Sequence, residues 1–305
     1  MDRTVSTIID PEKCTGCGLC IEVCPSRTLT MKEGKAIVSG ERSLSCGHCV
    51  AVCPVDAVRV TAIDPGIPAF KTFQADGRWL PHGEYDTAQL VRLMASRRSC
   101  RNYTDQPVDR NLLDDLVQIG TTAPSGTNSQ RWTFTILPSR KEVLALGDRV
   151  AGFFKRLNRM VEKGVVRRLL KLVGKGEMDM YYREYYESVK EAIGEWEQLG
   201  KDRLFHGATA AIVVSSRPGA SCPAEDALLA TQNILLAAHS MGLGTCLIGF
   251  AVSVMRHERR VKRLMGIPDD ERVYSVIALG HPNEKYRSIA GRRKALSRYV
   301  DLGKE

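Results

Sequence analysis

Cysteine is the residue whose spacing in this chain most directly suggests chemistry. Seven of the ten cysteines fall between Cys14 and Cys53. The first four stand as Cys14-x2-Cys17-x2-Cys20-x3-Cys24-Pro25, and Cys46, Cys49 and Cys53-Pro54 repeat the pattern 29 residues later with Ser43 where a cysteine would stand. Thiolates at this spacing hold cubane iron–sulfur clusters, because a tight loop turns three sulfurs onto one cluster face while the cysteine before proline reaches the other cluster. Zinc also uses paired Cys-x2-Cys, but it accounts for neither the third cysteine, the Cys-Pro, nor the tandem copy.

The pattern assigns Cys14, Cys17, Cys20 and Cys53 to one 4Fe-4S cluster, and Cys24, Cys46 and Cys49 to a second that needs one more ligand. Position 43 supplies Ser43, a harder donor than a thiolate and much less readily deprotonated. Three outcomes are open: a 4Fe-4S cluster completed by an oxygen ligand, a 3Fe-4S cluster, or no second cluster. His48 could substitute only with a rearranged loop. The remaining cysteines, Cys100, Cys222 and Cys246, read as small buried residues.

A segment of this size has little apolar core, and metal clusters would make up the deficit. The repeat implies a pseudo-twofold module over residues 1–62, with short strands near Leu29 and Met31 and near Val58 and Val60. Pro65, Gly66, Pro68, Gly77, Pro81 and Gly83 mark 63–84 as a linker or wrapping arm. A second domain spans 85–305. Its apolar spacing predicts helices over 87–97, 109–119, 153–173 and 224–240, and strands over 133–137, 210–215, 242–249 and 273–279. Strands separated by helices make it a layered domain of α/β or α+β class.

Two segments of that domain carry further chemistry. Arg97-Arg98-Ser99-Cys100-Arg101 ends a helix and could pair with a phosphate, or be an ordinary solvated helix end. Ala123-Pro124-Ser125-Gly126-Thr127-Asn128-Ser129-Gln130-Arg131-Trp132 lies between a helix and a strand. In this order, and with residues 230–249 and Gly280-His281-Pro282 followed by Arg292-Arg293-Lys294, they resemble the FMN-dependent nitroreductase family. Arg131 departs from the family's proline before Trp132. Together with the cysteine repeat, the chain resembles the branch of that family fused to an N-terminal bacterial-type 4Fe-4S ferredoxin domain.

The resemblance implies an α+β domain with a central sheet flanked by helices, binding FMN as a homodimer with the cofactor at the subunit interface. It places Arg97, Ser99 and Arg101 on the FMN phosphate and ribityl chain with Arg98 alongside, and Pro124, Ser125 and Asn128 on ribityl and ring. Ile248 and Gly249 would line the isoalloxazine, and Arg293 with Lys294 would close over the phosphate. It implies no obligatory catalytic acid or base, since the flavin carries the chemistry. Tyr181, Tyr182, Tyr185 and Tyr186 could face the flavin or simply pack. The expected activity is transfer of electrons from the clusters to FMN and on to an electron-poor small molecule: a nitroaromatic, quinone or halogenated aromatic. The donor is ferredoxin or NAD(P)H. The alternatives are a flavoenzyme that oxidises NAD(P)H and exports electrons through the clusters, and a non-catalytic electron carrier or redox sensor.

The formal charge is +9, with −1 up to Asp64 and +10 in the remainder. Basic residues gather at 155–175, 256–263 and 285–298, but no nucleic-acid-binding motif accompanies them, so a phosphate-bearing cofactor or an acidic electron-donor protein accounts for the charge. No apolar run approaches a membrane span, and a basic amphipathic helix interrupted by Gly164 argues against surface binding. The start Met1-Asp2-Arg3-Thr4 lacks the pattern of a signal peptide, so the expected location is cytoplasmic, where clustered cysteines serve metal rather than disulfides.

Overall fold

Residues 3–65, 69–165 and 177–301 are described by the structure, a computed structural model. In the N-terminal module, each cysteine run bends through a left-handed glycine (Gly18, φ 80°; Gly47, φ 75°) into one turn of helix, α1 (Leu19–Glu22) and α2 (His48–Ala51). Strand β1 (Thr7–Ile9) pairs antiparallel with β4 (Val58–Val60), and β2 (Leu29–Lys32) with β3 (Lys35–Val38). The core is small: Leu29, Ala36, Ala57, Val58 and Val60 pack with Cys14, Cys20 and Cys49. Gly16 is dictated by space as well as by its φ of 73°, because a Cβ there would stand 2.1 Å from the Gly34 carbonyl oxygen.

Lys71 and Thr72 of the linker are pinned to the C-terminal domain. The backbone N–H groups of Lys71 and Thr72, each at 2.8 Å, and the Thr72 hydroxyl at 2.6 Å donate to the buried carboxylate of Asp115. Asp115 belongs to helix α4 (Arg110–Gly120), the second helix of the C-terminal domain after α3 (Thr87–Ser96).

Four antiparallel strands form the central sheet in the order β5 (Trp132–Leu137), β6 (Ala210–Ser216), β8 (Arg272–Gly280), β7 (Gly244–Leu247). Strand alternation divides its side chains between two cores. Val213, Val276 and Ala278 join Leu146, Phe154 and Met255 on one face. Ile212, Val214 and Ile277 join Leu113, Leu116 and Ile234 on the other. Helices α5 (Arg140–Val161) and α9 (Gly249–His257) cover the first face, and α4 and α8 (Pro223–Ser240) the second. Short α6 (Glu177–Glu184), α7 (Tyr186–Leu199) and α10 (Arg259–Leu264) complete the layers. This is the α+β sandwich the resemblance implied.

Three expectations shift. The helix read over 153–173 starts at Arg140, where the Ser139 hydroxyl caps the Lys141 N–H, and ends at Val161; residues 166–173 lie outside the described residues. The strand read over 242–249 ends at Leu247, and Gly249 already opens α9, so Ile248 and Gly249 sit on a strand-to-helix turn. Cys222 is exposed, unlike the buried Cys100 and Cys246.

Candidate functional site

The Arg97–Arg101 segment runs beside β7. Ser99 bridges Thr245 in parallel, and the Cys100 N–H donates to the Thr245 carbonyl at 2.9 Å. The close approach needs Gly244, since a Cβ there would lie 2.8 Å from the Cys100 Cβ and Sγ. From the far side Glu284 accepts the Arg101 N–H at 3.1 Å; burial would raise its carboxyl, but hydrogen bonds from the Tyr286 hydroxyl and Arg101 hold it below the usual carboxylate range. Burial, with the charges of Arg292 and Arg98, pushes the Arg97 guanidinium down. Among the described residues, no carboxylate lies within ion-pair distance of Arg97, Arg98, Arg101 or Arg292. Cations gathered at such cost fit a phosphate, which guanidinium forks bind in bidentate fashion.

The segment leads straight to the turn at Ile248 and Gly249, which floors a cleft of about 820 Å3 that is open to solvent. Arg101 and His206 lie at one side, and Phe153, Phe154, Tyr181, Tyr185 and Phe250 form an aromatic wall. Phe250 meets Phe154 and Tyr185 edge-on, with centroids 5.2 and 5.9 Å away. Tyr182 and Tyr186 instead stack on each other at 4.9 Å, and the Tyr186 hydroxyl donates to Glu162. His206 is held left-handed at φ 57°, and burial pushes its imidazole down.

Pro124, Ser125 and Asn128 stand apart from this group. Gly126–Asn128 forms a single 3-10 turn, with Thr127, Asn128 and Gln130 all at positive φ (53°, 54° and 44°). Asp226, 2% exposed in the first turn of α8, clamps the turn by accepting the Gly126 N–H at 2.7 Å and the Ser129 hydroxyl at 3.0 Å. The Asn128 amide donates to the carbonyls of Leu44 (3.2 Å) and Ser45 (2.9 Å) in the N-terminal module, and its oxygen accepts from Gln130 Nε2 at 3.0 Å. His239, whose imidazole is pushed down by burial and by Arg97, marks the other end of α8. Asp226 and His239 are 13 residues apart, or about 20 Å along the helix, so the two groups of residues lie at opposite ends of α8. Arg293 and Lys294 follow Arg292 on an exposed C-terminal arm and make no hydrogen bond or ion pair among the described residues.

The cysteines line two small cavities. Cys14, Cys17, Cys20 and Cys53 surround the first. Cys24, Ser43, Cys46 and Cys49 surround the second, where the buried Ser43 hydroxyl accepts the Ser45 N–H at 3.0 Å. Backbone N–H groups near Ala36 and Gly16 lower the Cys14 thiol, and hydrogen bonds from Thr28, Ser26 and Leu29 together outweigh burial to lower that of Cys24, whereas burial raises the thiols of Cys20 and Cys49. Three soft donors and an oxygen around a small cavity, set out like the four cysteines of its twin, fit a second cluster.

Comparison with known proteins settles the family. The Nitroreductase family model matches residues 94–281 and that of the 4Fe-4S dicluster domain residues 13–57. The chain belongs to the nitroreductase family. A 4-nitrobenzoate reductase of Nocardioides sp. is 27% identical over 224 residues, 68% of this chain and 87% of the relative. An NADH dehydrogenase of Thermus thermophilus is 25% identical over 191 residues, 62% of this chain and 84% of the relative. An FMN-bound nitroreductase structure from Bacteroides fragilis superposes with a TM-score of 0.51 at 18% identity, over 70% of this chain and 99% of that one, and shows the shared fold. This nitroreductase-family chain is an FMN-dependent oxidoreductase carrying an iron–sulfur module. None of its described helices is long and apolar enough to cross a membrane.

Sequence reasoning missed Asp226, Glu284 and His206. Only Asp226 left a signal, as a carboxylate opening an otherwise apolar helix.

Proposed function

We propose that this oxidoreductase takes electrons one at a time from a low-potential donor such as reduced ferredoxin. They pass through its clusters to FMN and reduce an electron-poor aromatic, a nitroaromatic, quinone or halogenated ring. The observation that carries this reading is the seating of the cysteine module on the flavin domain by Asn128, with the segment that follows it strapped to Asp115, which makes it a fixed wire rather than a tethered carrier.

FMN, when bound, accepts single electrons and releases pairs as hydride. The residues supply the rest. Arg97, Arg98, Ser99 and Arg101, with Arg293 and Lys294 from the arm, hold the phosphate and ribityl chain, and Ile248 and Gly249 floor the ring. Phe153, Tyr181, Tyr185 and Phe250 stack on a flat aromatic and keep water from it. His206, neutral at pH 7 because burial lowers it, offers a hydrogen bond without a competing charge. No side chain is needed as acid or base.

A second copy completes the site. The half-sites lie at opposite ends of α8, α3 leaves Leu90, Val91 and Met94 exposed, and the arm exposes Leu296, Tyr299 and Val300. A homodimer brings the 124–128 loop of one copy to the β7 turn of the other and covers these apolar surfaces.

The relative named an NADH dehydrogenase supports a second reading, in which NAD(P)H reduces the flavin and the clusters export electrons. Metal, sulfide and flavin analysis of anaerobically purified protein is the first test: FMN and two clusters' worth of iron are expected, and finding neither defeats the whole account. Single-turnover flavin reduction then fixes direction. Rapid bleaching by NADH without ferredoxin would reverse the wire.

A further inference from the structure

The two cysteine-lined cavities differ in their surroundings. The loop carrying Ser43 and Cys46 lies against the flavin domain, where the Asn128 amide uses both protons on the adjacent Leu44 and Ser45 carbonyls. Among the described residues, the turns bearing Cys14, Cys17, Cys20 and Cys53 make no hydrogen bond to that domain, and Cys17 is exposed. Asn128 is itself held rigidly, at φ 54° and with its oxygen taken by Gln130, in the turn clamped by buried Asp226. A side chain so fully engaged with the module has no donor left for a flavin.

We propose that Asn128 is a positioning residue for electron transfer: it seats the Ser43–Cys46 loop on the flavin domain, so that the serine-bearing cluster stands next to the flavin and the four-cysteine cluster faces the donor. The inference rests on the reading of the 124–128 loop as the ring-side half of the flavin site. It gives the departure at Ser43 a location, since the one atypical ligand then belongs to the last centre before the flavin and sets the driving force of the final transfer. Electrons leave the external one-electron donor singly, and two of them, with protons from water, reduce one flavin.

Asn128→Asp keeps the size of the side chain but replaces two donors with an acceptor facing two carbonyl oxygens; Asn128→Ala removes the contact without that repulsion. Both are examined as full-length holoprotein, with iron and FMN content measured first. Amide exchange of residues 43–47 reports seating, and flavin bleaching after a flash of photoexcited deazaflavin reports transfer. Losing two hydrogen bonds weakens seating on the order of tenfold, so exchange rises by about that factor. Bleaching slows in parallel, more in Asn128→Asp than in Asn128→Ala. Unchanged exchange and bleaching in Asn128→Asp overturn the proposal. Slowing that merely tracks lost FMN also overturns it, because Asn128 then serves the flavin directly. A natural protein without FMN fails the loop reading and the proposal together. For the order of centres, Ser43→Cys must change the bleaching rate while Cys17→Ser changes uptake from the donor; the opposite assignment reverses the order and refutes the placement.

Discussion

Asp226 offers the sharpest test of how the 125–130 turn is held. Three non-glycine residues, Thr127, Asn128 and Gln130, sit at positive φ, at a cost on the order of 1 kcal/mol each, or about 3 kcal/mol together. Against this stand the two bonds accepted by the buried carboxylate, from the Gly126 N–H and the Ser129 hydroxyl, each worth about 1.5–3 kcal/mol because the acceptor is charged. The carboxylate's two bonds therefore exceed this strain by only a few kcal/mol. Asp226→Asn keeps the shape, loses the charge and retains one neutral acceptor worth about 1 kcal/mol, so strain outweighs restraint and the turn relaxes. Amide exchange across 126–130 should rise at least tenfold while exchange in β6 and β8 stays slow, and FMN should be retained less well. Exchange across 126–130 as slow as in the natural protein, with FMN fully kept, would refute the view that this carboxylate holds the strain.

Arg97→Ala should act with opposite signs on two measurements. Removing a half-buried cation that Arg98 and Arg292 repel raises the melting temperature of the apoprotein, while losing a charge-assisted phosphate contact weakens FMN retention roughly 10- to 100-fold by fluorescence titration. Ser43→Cys should alter the EPR spectrum and raise iron and sulfide retention during aerobic handling; identical spectra would mean that position 43 is no ligand. Burial tends to raise the Asp115 carboxyl, but the three donors from Lys71 and Thr72 hold it below its ordinary value near 3.8. Its contribution is therefore present above that pH and is lost as pH falls through the depressed value. Exchange protection at 71–72 should persist down to about pH 4 and be lost only at lower pH, and Asp115→Asn should reduce it at every pH, at a cost of about 2 kcal/mol in stability.

Local rules made much of this chain legible. The cysteine spacing located both cavities because ligand geometry is set within a single turn. The unbroken apolar run at 210–215 located β6 because a central strand covered on both faces has no polar side. The start of α5 was missed because its first residues, Arg140 and Lys141, carry no apolar stripe, although Pro138 and Ser139 mark the cap. The turn at Ile248 read as strand because apolar residues continue past Leu247 into α9 without a break. Beyond reach were relations set by tertiary packing: that α8 holds the 97–101 and 124–128 segments apart, and that Asn128 turns toward Leu44 and Ser45.

The strap of Lys71 and Thr72 on Asp115 bears on how strong the Asn128 contact must be. As a free polypeptide, the cysteine module would have to meet the full entropic cost of association from a small polar contact, and would bind weakly. Anchored a short distance away on α4, it faces its partner surface at an effective concentration in about the millimolar range. Two amide hydrogen bonds then suffice to keep the seated form dominant while still allowing brief release. A cut within 73–84 would leave the Lys71 and Thr72 strap as a second non-covalent hold on the separated module, whereas a cut before Lys71 would leave Asn128 to hold a dilute second component alone.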